Sequence, residues 1–416
     1  MALFGARLRA MLVGLGCVIP LVALGTQGDA GAASPAASAP GVTAKAISVG
    51  LVESQTGPAS STFGDSARGA QARIDLQNAQ GGVDGRKLKL VVADDTSTPS
   101  GNQLAVEDLV STKGVFGVMS SNAVLVGGAN FLQQQGVPVT ATASTITTDE
   151  PQYTDEFSYT QGQLPSPPTT QLAQVFKDIG VKNVGLLDYS DPQDSTLFPV
   201  EEKGIQGVDG LNICFGSDSI PIGSVNFTTI ALQLKNANCQ AVDFPAVESS
   251  DIALATALQQ AGLHIKQIYA TGYDQTLLDD AAARTAAQGQ YFDAEPLPLD
   301  LNTPAVKGFY AALRKYDPSY HGGIASFGEG SGWMIADEMI EGLKLAGPNP
   351  TRAGVIKDLA RVTSYSGGGL VPPVNLSARW KLIGPQCAYY VQLEGSKFLP
   401  FPRSGKPICG KVLSGS

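Results

Sequence analysis

The sequence predicts an α/β protein made of two doubly wound lobes, with a chain that crosses between them three times. Three observations carry this expectation. Short β-branched runs alternate with helical segments from Ala46 onward, Pro- or Gly-rich stretches interrupt the alternation three times, and 416 residues suffice for two domains of ordinary size. Strand and helix at this spacing form βαβ units with right-handed crossovers, hence parallel sheets.

In the first half, residues 47–52 read as a strand. Residues 65–80 carry Ala67, Ala70, Ile74 and Gln77 at helical spacing, with Asp65 placed to cap the start. Gly81-Gly82-Val83-Asp84-Gly85 ends that helix, because glycine accepts the left-handed conformation a helix end needs. Strands follow at 88–93, 115–119 and 137–141, with helices at 100–112 and 124–135 between them. Gly162, Pro165, Pro167 and Pro168 mark the first crossing. The alternation resumes with strands at 184–188, 241–246 and 268–270 and helices at 169–179, 227–237 and 252–261. A Pro-rich crossing at 295–304 leads to helices at 305–316, 328–345 and 352–362. The third crossing, Gly-rich at 366–369, leads to strands at 388–394 and 398–401. The expected division is residues 46–162 plus 297–366 in lobe 1 and 163–296 plus 367–416 in lobe 2. Multiple crossings make a hinge, and open doubly wound sheets bind ligands at the carboxyl ends of their strands.

The composition narrows the function. Apolar residues are 43% and charged residues 16%, with 28 Lys plus Arg against 37 Asp plus Glu, a net charge of −9. An acidic chain without a basic run argues against nucleic acid and anionic membrane as partners. Two histidines in the whole chain argue against a His-based metal site or general base. No cofactor or metal is expected, and the chain is expected to act as a monomer.

The N-terminus reads as an export signal over residues 1–33. Arg7 and Arg9 form a charged region, residues 11–24 an apolar one, and Ala30-Gly31-Ala32 a small-x-small cleavage pattern. The fourteen apolar residues fall short of the ~20 that span a bilayer. A lipoprotein signal ending at Cys17 is the alternative, although Gly14 stands where Leu is usual and residues 18–21 stay apolar. Removing residues 1–33 takes away two arginines and Asp29 and leaves a net charge of −10. Residues 34–45, rich in Ala, Ser and Pro, read as a flexible leader. The expected location is the periplasm or the cell surface.

Export leaves Cys214, Cys239, Cys387 and Cys409, an even count that fits disulfides. Three pairings are possible. Proximity favours Cys214–Cys239 and Cys387–Cys409, each closing a loop of about 22–26 residues worth roughly 3 kcal/mol. No cysteine pair has zinc-ligand spacing, and neither histidine lies near a cysteine.

The first half also carries a specific ordered run: Gln55-Thr56-Gly57-Pro58, Phe63-Gly64, Gly69-Ala70, Gly81-Gly82-Val83-Asp84-Gly85-Arg86-Lys87, then Asp94-Asp95 with Pro99. Gly136-Val137-Pro138-Val139 continues it. The run resembles the type I periplasmic solute-binding proteins of branched-chain amino acid ABC transporters, strongly over 45–160 and more weakly beyond 290. The resemblance implies two flavodoxin-like lobes joined by a three-strand hinge and closing on a small solute, with an ABC permease as partner. It implies that lobe 1 holds a ligand carboxylate with backbone N–H groups and hydroxyls, which needs no cationic side chain. By position the ligand contacts fall on Ser121, Asn122, Ala143 and Thr145, with Phe63 as an aromatic beside the ligand. The same residue types also serve helix caps and turns.

Lobe 2 departs from the family pattern. Where amino-acid binders of the family offer tyrosines, this chain has Tyr189 or Gln193 and then Glu248-Ser249. Asp274 best matches the carboxylate that pairs with a ligand ammonium, and Glu248 adds a second acid suited to a more cationic ligand. These departures widen the expected solutes to amides, urea-like compounds and aromatic acids as well as amino acids.

Enzyme readings find little support. Gly328-Glu329-Gly330-Ser331-Gly332 has the wrong order for a nucleophile elbow. Neighbouring Asp94 and Asp95 on a strand point to opposite faces, so they do not form an acid–base pair. The sequence therefore describes an exported solute-binding protein delivering to a permease, or a ligand sensor of the same fold docking on a signalling partner.

Overall fold

The computed structural model describes residues 39–143, 153–160, 167–191, 194–294, 298–378 and 386–413. The export signal with Cys17, most of the leader, Thr145, Gln193, residues 161–166 of the first crossing and 295–297 of the second lie outside the described residues.

The first sheet contains β1 (Ala46–Glu53), β2 (Lys87–Asp94), β3 (Val118–Ser121), β4 (Val139–Ala141) and β5 (Glu156–Ser158). All are parallel, in the order β2-β1-β3-β4-β5. That is the flavodoxin-like order of doubly wound sheets. Its strands form because apolar residues are buried on both faces: Val49, Leu51, Val118 and Val139 have almost no exposure. The connecting helices are α1 (Ser60–Phe63), α2 (Ser66–Ala79), α3 (Pro99–Glu107) and α4 (Val126–Gln134). Helix α3 runs into a π-turn at Asp108–Thr112.

Asp65 stands at the start of α2, but its carboxylate takes no helix N–H. Glu53 at the end of β1 does so instead: its Oε2 accepts from Ala67 N at 2.7 Å. Asp65 is drawn away into an ion pair with Arg68 at 3.1 Å and a hydrogen bond from Ser326 Oγ. The turn after α2 is as expected, with Gly81, Gly82 and Gly85 all at positive φ.

The second lobe repeats the plan. Helices α5 (Gln171–Ile179), α6 (Asp194–Gln206), α7 (Thr228–Asn236), α8 (Glu248–Gln260), α9 (Gln275–Asp279) and α10 (Ala281–Ala286) alternate with β6 (Asn183–Tyr189), β7 (Asn212–Ile220), β8 (Ala241–Phe244), β9 (Lys266–Tyr269) and β10 (Tyr291–Asp293). These strands run β7-β6-β8-β9-β10, the same order as lobe 1. Helices α6, α9 and α10 and strands β7 and β10 are additions to the sequence pattern. The edge strand β7 mixes polar and apolar residues without alternation, with irregular register against β6, and α6 holds Pro199 internally, so neither shows clean periodicity.

The chain then returns to lobe 1 as α11 (Pro304–Tyr316), α12 (Phe327–Ala346) and α13 (Arg352–Leu359). Close packing of α12 on α2 comes from glycines on both sides: Gly69 sits against the Glu329 backbone and Gly332 against the Ser66 backbone. Arg68 bridges Asp317 at 2.9 Å and Glu329 at 2.8 Å, and Arg73 pairs with Asp337 at 2.7 Å. Arg352 donates to the carbonyls of Val115 and Phe116, which pins α13 beneath the first sheet.

The tail finishes in lobe 2. Strands β11 (Gln386–Ala388) and β14 (Ile408–Gly410) pair with each other, while β12 (Tyr390–Glu394) and β13 (Lys397–Phe401) extend the large sheet antiparallel to β10. Disulfides join Cys214 to Cys239 and Cys387 to Cys409, the second across a register pair of β11 and β14.

Candidate functional site

A cavity of about 590 Å³ lies where the carboxyl ends of the two sheets face each other. The loops after β3, β4 and β5 supply Asn122, Ala123, Thr142, Ala143, Tyr159 and Thr160, while α1 adds Thr62 and Phe63 and α12 adds Phe327. From lobe 2 come Tyr189 at the end of β6, Pro245 to Val247 after β8, Ala270 and Thr271 after β9, and Asp293 of β10. The site therefore falls where doubly wound sheets place their ligands. The lobes also touch at its edge: Glu248 N donates to Thr62 Oγ1 at 3.0 Å, and Pro58 packs against Gly223.

The lobe 1 wall is uncharged. Phe63 packs edge-on against Phe327 with centroids 5.7 Å apart, forming an aromatic floor. Asn122 is committed to its own turn: its Oδ1 accepts from Val124 N at 2.9 Å, and its Nδ2 donates to Ser120 Oγ at 2.8 Å. Ser121 lies behind the wall with no exposure. Its hydroxyl is bound to those of Ser66 at 2.8 Å, Ser331 at 3.0 Å and Thr142 at 3.2 Å, so it braces the loops without facing the cavity.

In lobe 2, Tyr189 lines the cavity and its hydroxyl accepts from Val247 N at 3.1 Å. Burial pushes that phenol up to about 12, so it stays protonated and a donor. Glu248 and Asp274 stand behind the wall. Asp274 Oδ1 accepts from Leu277 N at 2.9 Å and caps α9. Burial raises both carboxyls, and for Glu248 the neighbouring Asp274 raises it further.

The sequence reading passed over several wall residues. Thr62, Thr142 and Val247 are among them, and so are five acids, Asp191, Asp194, Glu201, Asp243 and Asp293. Asp243 interrupts an otherwise apolar strand end, a signal available in the sequence. The wall has no Lys, Arg or His among the described residues. No group of three or more His, Cys, Asp or Glu among them is placed to hold a metal ion, and no helix among them is long and apolar enough to cross a membrane.

Two flavodoxin-like lobes facing each other across a shared cleft define a bilobal binding protein. Residues 46–397 match the family model described as periplasmic binding protein, and the chain belongs to that family, with the type I fold. The family is one of solute-binding proteins and not an enzyme family. Among curated relatives, the Leu/Ile/Val-binding protein homolog 3 of Brucella melitensis is 26% identical over 261 residues, 59% of this chain. The chain spans 66% of that relative's length, just under two thirds. Among solved structures, the fatty acid ABC transporter substrate-binding protein from Thermomonospora curvata aligns with a TM-score of 0.71 at 17% identity, covering 91% of this chain and 95% of that one. The branched-chain amino acid transporter substrate-binding protein from Streptococcus pneumoniae, in complex with isoleucine, aligns with a TM-score of 0.69 at 16% identity, covering 89% of this chain and 99% of that one. At such identities the structural likeness speaks for the fold alone.

Proposed function

We propose that this protein is an extracytoplasmic solute-binding protein that captures a small polar solute, an amino acid or a related amide or acid, and delivers it to an ABC permease without chemical change. The observation that carries this reading is the cavity of about 590 Å³ walled by both lobes at the carboxyl ends of their strands. The names of the relatives, an amino-acid-binding homologue and two transporter substrate-binding proteins, support the transport role. The two disulfides suit an oxidising compartment and support export through the signal at residues 1–33.

In this reading residues 46–162 plus 297–366 move as one lobe and 163–296 plus 367–416 as the other. Phe63, Asn122, Ala143 and Tyr189 contact the solute. Ser121, Glu248 and Asp274 hold the wall from behind. Closure is a population shift whose size is set by the solute's preference for the closed form. The Glu248–Thr62 hydrogen bond belongs to that form.

A thermal-shift screen of amino acids, amides, urea, aromatic acids and amines tests the reading. A true solute at ~100 times its Kd adds ~2.7 kcal/mol of stability. A panel in which nothing moves the melting temperature counts against the proposal.

A further inference from the structure

The lobe 2 end of the cavity gathers carboxylates with no counter-charge among the described residues. Leu186 of β6 is in register with Asp243 of β8, and side chains two residues apart on a strand share a face, so Asp188 and Asp243 lie on the same side of the sheet. Helix α6 covers β6 and β7. Its Asp194 and Glu201 are seven residues apart, two turns, and therefore on one face. These four acids lie within electrostatic reach of one another: Glu201 acts on Asp188, Asp194 and Asp243.

Asp243 is the telling member. It is 7% exposed, it lines the cavity, and among the described residues no hydrogen bond or ion pair reaches its carboxylate. Glu201 is half-buried, but its Oε2 is shielded from solvent and has no hydrogen-bond partner. Buried charges in folded proteins are paired, and an unpaired one costs stability. Burial and then mutual repulsion raise the proton affinity of Asp188, while Asp243 is raised by burial and by Glu201. Among the described residues no cation offsets that arrangement, so protons neutralise it in the empty site, and a cation entering from the cavity would take their place.

The geometry points to a cation subsite formed by Asp194, Glu201 and Asp243 at the cavity wall, with Asp188 behind them, which takes the protonated amine or guanidinium of an elongated organic cation. This rests on the solute-binding reading and specifies its solute class. An organic cation suits the site better than a metal ion, because these acids do not converge as metal ligands and the space is far larger than one ion. The other end of such a solute would lie against the uncharged wall of Phe63 and Thr142.

The test is calorimetric titration of the purified protein with putrescine, spermidine, agmatine, lysine and arginine, against 1,4-butanediol as the uncharged match for putrescine and with calcium chloride as the metal arm. At least one organic cation is expected to bind one-to-one, with butanediol at least 100-fold weaker than putrescine if putrescine is that cation. Asp243→Asn should weaken the cation at least tenfold without lowering the melting temperature of the free protein, and Glu201→Gln should act in the same direction. Cations that bind no better than uncharged compounds, undiminished binding by both variants, or binding of calcium alone would overturn the subsite. If cations fail while a neutral or acidic solute binds, the subsite falls and the solute-binding reading stands. If no solute of any class binds, both fall.

Discussion

The return of the chain to lobe 1 has a direct mechanical consequence at Gly332. Helix α12 lies so close to α2 that a Cβ on Gly332 would collide with the carbonyl oxygen of Ser66 and sit 2.8 Å from its carbonyl carbon and 3.0 Å from its Cα, where ordinary contact is 3.4–4 Å. The obstacle is backbone, so no rotamer change relieves it and the two helices must part by about an ångström. Overpacking of this kind costs about 1–3 kcal/mol, set against the helix gain of roughly 0.5–1 kcal/mol that Ala brings over Gly. Gly332→Ala should therefore destabilise the protein by about 1–2 kcal/mol. Gly308 in α11 is the internal control, because a Cβ there meets nothing within 4 Å. Gly308→Ala should stabilise by roughly 0.5–1 kcal/mol. Urea unfolding followed by circular dichroism reads both. A Gly332→Ala midpoint equal to or above that of the parent would refute the argument that α2 and α12, some 260 residues apart in sequence, are packed backbone to backbone in one lobe.

Two further outcomes follow from the hydrogen bonds and the buried acids. Thr62→Val keeps the shape of the side chain but removes the acceptor of Glu248 N, leaving a buried donor unsatisfied in the closed form; at about 1–3 kcal/mol, solute affinity should fall roughly 5- to 150-fold, while Thr62→Ser retains it, and equal affinity in Thr62→Val would exclude a closing role for this bond. Burial raises Glu53 from its ordinary 4.5 to about 7, outweighing the Ala67 N–H that favours its ionised form. Between those values the folded state binds more protons than the unfolded chain, so this contribution is fully present below about pH 4.5 and is lost as pH rises through about 7. At about 1.4 kcal/mol per unit it amounts to about 3 kcal/mol, and Asp188, Asp194, Glu201 and Asp243 act with the same sign. The solute-free melting temperature should rise from pH 8 to pH 5; a flat or falling profile by scanning calorimetry would contradict it.

Four of the five parallel strands of lobe 1 were legible because burial writes apolar runs, as in β1 and in residues 115–119 leading into β3, whereas the three-residue β5 was not. Lobe 2 was less so, since β7 is an edge strand without alternation and α6 carries Pro199. The cap of α2 could not be read locally, because Glu53, fourteen residues upstream of Ala67, takes the role that spacing assigns to Asp65. Ser121 shows the same limit: a hydroxyl after a strand looks ready for ligand, but Ser331, 210 residues away, helps to occupy it. Asp243 was visible as a lone acid in an apolar strand. Its significance was not, because the lack of a partner emerges only when β6, β8 and α6 come together.

The most direct test is to fill the cleft. Ala143 is partly exposed and lines the cavity, so Ala143→Trp should occupy the space between the lobes without disturbing the core. Calorimetric titration of this variant with a solute that binds the parent should show binding abolished, with the melting temperature of the free protein unchanged. Binding at the parental affinity would place the solute elsewhere and contradict the interlobe site.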